Sequence, residues 1–404
     1  MRRLILAAVV LISGCSNAPA VGSSPSVTAA SAPRTGSSAS TTATASPISI
    51  NHLPAAGPLG VLVDYVGQSA ANPNGPTYSV LLVDTTGKTV AQVQGRDPLV
   101  YSFPVPRPSP PLVSVTTARL YYVDRDAIRF IDRNGSTGVA RPYPGGAKSI
   151  AGFAVSPDDK RIAIGLLTFP GAGLVDASLD LYVEDLAGGN RVELFSSTTV
   201  REWPVAWDKG HIVVVVGPAV YSGSPSGNPY SGTSGYHVAD ATTGNRLVAM
   251  QDDCTLGPLT GAGSACLTAS SLGAQAFDGT YRFFSVWPPA FGTQPGPPQA
   301  YSPALSPDGA EIALRDGASF AEAPIYLFTD RGYLEMLQPG TNNGIIGAPI
   351  GWIDPQHLVF GQPPSSSRSI LVLDSQHLSP VVVLPIQGCA CDSSGVFFGS
   401  LPAA

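Results

Sequence analysis

Three residue types in this 404-residue chain could make a site: aspartates at a recurring spacing, five cysteines and five histidines. Asp84, Asp132, Asp185, Asp240, Asp330 and Asp374 each close a short apolar run and open a turn into a second one. Their intervals are 48, 53, 55, 90 and 44 residues, and a weaker copy at Asp278 falls inside the long one. Carboxylates gathered in one place could exchange protons or hold a cation. Placed at the same turn of separate repeats, they accept hydrogen bonds from following amides, and that is the role expected here. His211 and His357 share one repeat position, in PVAWDKGHIVVVV and PIGWIDPQHLVFG, which points to structure. His52, His237 and His377 show no ligand spacing, so no metal and no cofactor is expected. No Gly-x-Ser-x-Gly elbow, His-Glu-x-x-His helix, phosphate loop or EF-hand loop occurs, and no catalytic residue is assigned.

The elements that must position these residues are strands. Gly and Pro number 44 and 39, and charged residues are only 12%, a balance that favours short elements and turns. Residues 154–164 read AVSPDDKRIAI and 304–314 read ALSPDGAEIAL, each an apolar run entering and leaving a Ser-Pro-Asp turn. Proline presets the first central dihedral, aspartate accepts from a following amide, and glycine or a second Asp suits the exit. The Asp hairpins supply a second strand pair per repeat. Seven copies at a mean spacing of about 48 residues are the signature of four-stranded blades. The Ser-Pro-Asp-Gly stretch resembles the turn of the WD40-like repeats in TolB-type β-propellers. The fold expected is therefore an all-β, seven-bladed β-propeller, with a six-bladed ring carrying 251–300 as an insertion as the alternative. TolB has an α/β domain ahead of its propeller, and residues 16–57 leave no room for one, so its partner role is not carried over. Blade one lacks an inner strand before GVLVDYV (60–66), and GVFFGSL (395–401) is expected to supply it and close the ring.

The N-terminal stretch reads differently. Met1-Arg2-Arg3 precedes a nine-residue apolar run, Leu4 to Ile12, too short to span a bilayer. It ends in Leu11-Ile12-Ser13-Gly14-Cys15, which resembles the lipobox of bacterial lipoproteins. That resemblance implies a signal peptide at 1–14 and lipidation of Cys15, with stable anchoring on the extracytoplasmic face of the cell membrane. Residues 15–50 then read as a tether of Ser, Thr, Ala, Pro and Gly with Arg34 its only charge and a reach on the order of 100 Å. The propeller is assigned to 51–404. Without Arg2 and Arg3 the chain holds 20 basic against 28 acidic side chains, which disfavours nucleic acid. Export suits disulfides, and of the three possible pairings of Cys254, Cys266, Cys389 and Cys391 the local pairs are favoured.

Long segments gather in one class of connection: 67–77, 94–111, 217–235 and 288–302 all join second to third strands or one blade to the next. Tyr221, Tyr230, Trp287, Phe291 and Tyr301 are their aromatic groups, suited to stacking on a sugar or anchoring a protein. The function expected is a monomeric, membrane-anchored, non-catalytic binding or scaffold module for a protein or envelope glycan. The alternative is a propeller enzyme for an extracellular substrate whose site of scattered residues leaves no local motif.

Overall fold

Apolar runs of four to nine residues between Gly-, Pro- and Asp-rich turns form strands, and the inner ones are buried on both faces, as in β9 (Ser149–Val155). The computed structural model describes residues 48–50, 56–65, 77–96, 110–169, 177–218, 235–250, 255–268, 270–286, 301–315, 325–337, 348–361, 369–374, 379–385 and 396–402. All of these belong to a unit spanning Ser46–Ala404. Among them the strands make one five-stranded and six four-stranded antiparallel sheets, seven in all.

Sheet one holds β1 (Ile48–Ile50), β2 (Leu59–Tyr65), β3 (Thr77–Asp84) and β4 (Thr89–Arg96). Sheet two is β5 (Val113–Val115), β6 (Arg119–Asp124), β7 (Ala127–Asp132) and β8 (Thr137–Pro142). Sheet three adds β10 (Arg161–Thr168), β11 (Ser178–Asp185) and β12 (Val192–Ser197) to β9. Sheet four is β13 (Val200–Asp208), β14 (His211–Pro218), β15 (Gly235–Asp240) and β16 (Arg246–Met250). Sheet five is β17 (Thr255–Thr260), β18 (Gly263–Leu267), β19 (Ser271–Gln275) and β20 (Tyr281–Val286). Sheet six is β21 (Tyr301–Leu305), β22 (Ile312–Arg315), β23 (Ile325–Thr329) and β24 (Gly332–Leu337). Sheet seven is β25 (Ala348–Asp354), β26 (His357–Gly361), β27 (Ser369–Asp374) and β28 (Ser379–Pro385). The last strand, β29 (Val396–Leu401), returns to sheet one.

This is a β-propeller closed as expected. β29 pairs with β2 in the register Leu59↔Leu401 to Val63↔Val396 and so becomes the inner strand of blade one. Arg133, at the outer turn of blade two, fixes that closure. Its guanidinium donates to the carbonyls of Leu401, at 3.4 Å, of Pro402 and of Gly57, tying both chain segments of blade one to their neighbour. One expectation needs correcting: the tether was drawn through residue 50, yet β1 pairs with the outer strand β4, Ile48 opposite Val93 and Ile50 opposite Ala91. An Ile-Ser-Ile triplet at the tether's end has the β-branched bulk and alternation to extend a sheet, unlike the Ser/Thr/Ala/Pro run before it.

Blades pack face to face through Val, Ile and Leu side chains, each contributing about 1.5–3 kcal/mol on burial. Gly152 and Gly165 sit opposite each other on β9 and β10, where a Cβ would lie within 3.0 and 3.1 Å of the Trp203 indole. In every blade the third and fourth strands are joined across a register shift. Such bulges twist the outermost strand and discourage pairing with another chain.

Candidate functional site

Among the described residues, the carboxylates singled out by their spacing stand at turns. Asp84 Oδ1 accepts from the amides of Thr86 and Lys88 at 2.9 and 3.0 Å, and Asp132 Oδ1 from Asn134 and Ser136 at 2.9 and 2.8 Å. Asp240 does the same for Thr242 and Thr243, and Asp278 for Thr280. These amide bonds hold the Asp240 and Asp278 carboxyls below the usual carboxylate range. Asp185 accepts from the Asn190 side chain at 2.6 Å. Asp330 departs from the pattern: β23 ends at Thr329, whose hydroxyl accepts from the Arg331 amide at 3.1 Å. Asp330 lies one residue later, 3.7 Å from Arg282. The turn after Asp374 falls outside the described residues.

The two Ser-Pro-Asp turns are built alike. Ser156 donates to Asp158 at 2.7 Å and accepts from the Arg161 amide at 2.9 Å. Ser306 donates to Asp308 at 2.6 Å and accepts from the Glu311 amide at 2.9 Å. Asp159 and Gly309 both take positive φ, 58° and 72°, which explains why glycine and a second Asp alternate there. Each such blade also receives the tryptophan of the next. Trp207 Nε1 donates to Ala154 O at 2.9 Å and Trp352 Nε1 to Ala304 O at 3.0 Å. Blades three and four therefore repeat in blades six and seven as a pair.

A cavity of about 360 Å³ lies among the inner strands and is lined by all seven blades. Gly399, Ser400 and Pro402 come from blade one, Val113 to Thr117 from blade two, Val155 and Pro157 from blade three. Trp207 and Asp208, Thr260 and Phe277, Pro307, and Trp352 represent the remaining four. The hydroxyls, Asp208 and the prolines stand at the turns between first and second strands, so this is the axial channel at its short-turn end. Sequence reasoning missed it, because its lining residues are distant in the chain and meet only when the ring closes.

Other buried ionisable groups link elements. Asp124, fully buried, accepts from Arg96 Nε and Nη2 at 2.6 and 2.8 Å and from Arg129 Nε at 3.0 Å, joining blades one and two. Arg141 reaches Glu184 at 2.6 Å between blades two and three. Within blade four, Arg246 bridges Glu202 and His237 Nδ1, and burial raises the Glu202 carboxyl pKa. His357 Nδ1 lies 2.7 Å from Asp354, a local turn contact in keeping with a structural role. Among the described residues no cluster of His, Cys, Asp and Glu could hold a metal.

The aromatic set singled out for binding falls largely elsewhere. Tyr221, Tyr230, Trp287 and Phe291 lie outside the described residues, as do Cys15, Cys254, Cys389 and Cys391. Tyr301 is not a loop residue: it opens β21, its backbone paired with Arg315, because the alternating YSPAL segment continues the strand. Cys266 is fully buried in β18, the second strand of the hairpin expected between residues 254 and 266.

No protein-family model matches the chain, and no curated protein matches it. Solved structures share the ring at low identity. TolB from Acinetobacter baumannii is 14% identical over 86% of this chain and 68% of its own, with a TM-score of 0.37. Oligogalacturonate lyase from Vibrio parahaemolyticus is 10% identical over 82% and 97%, with a TM-score of 0.46. Dipeptidyl peptidase 4 from Porphyromonas gingivalis is 8% identical over 80% and 51%, with a TM-score of 0.46. The likeness is one of fold alone.

Proposed function

We propose that the chain is a monomeric, lipid-anchored, non-catalytic β-propeller that binds a protein or envelope glycan outside the cytoplasmic membrane. The observation that carries this reading is the unlike build of the two faces. Turns between first and second and between third and fourth strands are short and internally hydrogen-bonded, as at Asp84, Asp132, Ser156 and Ser306. The opposite ends of the strands carry the long connections 66–76, 97–112, 219–234 and 287–300. Recognition concentrates on long segments displayed by a rigid scaffold, and the buried ion pairs between blades supply the rigidity. The Leu-Ile-Ser-Gly-Cys junction supports anchoring through Cys15, and export supports disulfides at Cys254–Cys266 and Cys389–Cys391.

Two variants test the reading. Cys15→Ser should release the protein or stall its processing, and a processed mutant still in membranes would refute anchoring. Replacing Tyr221, Tyr230 and Phe291 with Ala should weaken partner binding by at least about 1 kcal/mol for a true hot spot. Equivalent changes at exposed Thr86 and Asn134, on the short-turn face, should leave it intact. Loss of binding from the control face alone would place the site on the wrong side.

A further inference from the structure

We propose that the short-turn mouth of the axial channel is a second binding site, taking a lysine or arginine side chain presented by a protein partner. Three observations converge on it. The first is the cavity, about 360 Å³, at the lower end of the roughly 300–1,000 Å³ typical of ligand pockets. Its wall combines apolar side chains with the half-buried indole of Trp207 and the hydroxyls of Thr116, Thr260 and Ser400. That surface suits the aliphatic stem of a basic side chain.

The second observation is Asp208. It occupies the same repeat position as Asp354, before the turn into the second strand. Asp354 Oδ1 is committed locally, accepting from the amides of Gln356 and His357 at 2.8 and 2.9 Å and contacting the His357 ring. In blade four the turn is the two-residue Lys209-Gly210, both at positive φ, and it brings no amide to Asp208. Asp208 lines the cavity half-buried, and among the described residues its carboxylate accepts no hydrogen bond and joins no ion pair. A carboxylate beside apolar walls attracts a cation more strongly than one in open water, because screening is weaker there.

The third is the charge of the surrounding turns. Asp158, Asp159, Asp208, Asp308, Glu311 and Asp354 stand at or beside the inner turns, against Arg119, Lys160, Lys209 and Arg161, whose guanidinium lies 5.8 Å from the centre of the Trp207 ring. Asp158 is paired with Lys160 at 3.5 Å, Asp159 is paired with Arg119 at 3.7 Å and Asp354 contacts His357 at 2.7 Å, leaving Asp208, Asp308 and Glu311 to set a mildly acidic rim. Such a rim draws positive groups toward the channel and discourages anionic ones. A protein partner is favoured over a free amine because the rim extends beyond the cavity.

The test uses the purified exported chain and three capped tripeptides, Ala-Lys-Ala, Ala-norleucine-Ala and Ala-Glu-Ala, titrated by calorimetry and by protein NMR shifts. The lysine peptide should bind at least about fivefold more tightly than the norleucine one, and the glutamate peptide not measurably. Asp208→Asn, which keeps the side-chain shape, should abolish the lysine preference with unchanged melting temperature, whereas Asp158→Asn should retain most of it. Added salt should weaken the lysine peptide alone. No lysine binding at about 10 mM, or a preference that survives Asp208→Asn, would overturn the proposal. Substituting Tyr221 and Tyr230 should have no effect here, so this site can fail without touching the long-connection face.

Discussion

Truncating Arg133 to Ala probes the closure of the ring. The guanidinium donates to Leu401 O at 3.4 Å and makes closer bonds to Pro402 O and Gly57 O, and the residue is only 9% exposed. Charge-assisted bonds contribute about 1.5–3 kcal/mol each. The Leu401 contact is long and counts for little. Burial also lowers the Arg133 pKa, so part of the gain is offset by desolvation. The net loss for Arg133→Ala should be about 2–4 kcal/mol. At roughly 2 °C per kcal/mol in a chain of this length, the melting temperature should fall by about 4–8 °C. Hydrogen exchange should localise the damage, with β29 and β2 amides losing protection while β9 and β10 keep theirs. Arg133→Lys, without the forked donors, should fall between. A melting temperature within about 1 °C of the parent, with β29 still protected, would refute the clamp.

Deleting 395–404 should do more, exposing the edge of β2 and causing aggregation or a lower melting temperature; a truncated protein as stable and monomeric as the parent would contradict closure. Trp352→Phe removes a fully buried donor to Ala304 O and should cost about 2–3 kcal/mol in denaturant unfolding, more than Trp207→Phe at its half-buried site. Ser306→Ala breaks both bonds of a buried turn hydroxyl and should cost about 1–2 kcal/mol in the same assay. Asp158 and Asp240 have folded pKa values below their unfolded ones, so their stabilisation is present at neutral pH and lost as pH falls through the folded values. Thermal melts should therefore drop most steeply below about pH 4, and Asp240→Asn should flatten that drop. Glu202 has the opposite sign, its pKa raised by burial, and contributes a gain on acidification that Glu202→Gln should remove.

Features written locally were legible in the sequence. Pro and Asp at fixed offsets between apolar runs identify a turn from a few residues, so the Ser-Pro-Asp turns, the Asp hairpins of blades one to four and the strand pairs of blades three, four, six and seven stand where expected, whereas β19 ends three residues before Asp278. The closing strand was legible by bookkeeping, since blade one had three strands where four were needed. Blade six was misread by one residue because Thr329 can accept the same bond as Asp, leaving the neighbouring Asp330 as a false marker. The channel, the Arg133 clamp and the tryptophan links join residues whose separation runs from 48 to 269 along the chain. Their positions follow from ring geometry, and no local pattern encodes that. The β1 strand was hidden by its length of three residues at the end of a low-complexity run.

The central claim, a tethered propeller that binds through its long-connection face, is tested most directly by photo-crosslinking in intact cells. A photoreactive residue would replace Tyr221, Tyr230 or Phe291 in one set of variants and Thr86 or Asn134 in the other. The account predicts discrete crosslinked species, in the membrane fraction, from the first set only. Crosslinks arising solely from Thr86 and Asn134, or none from the first set while the protein remains folded and anchored, would contradict it.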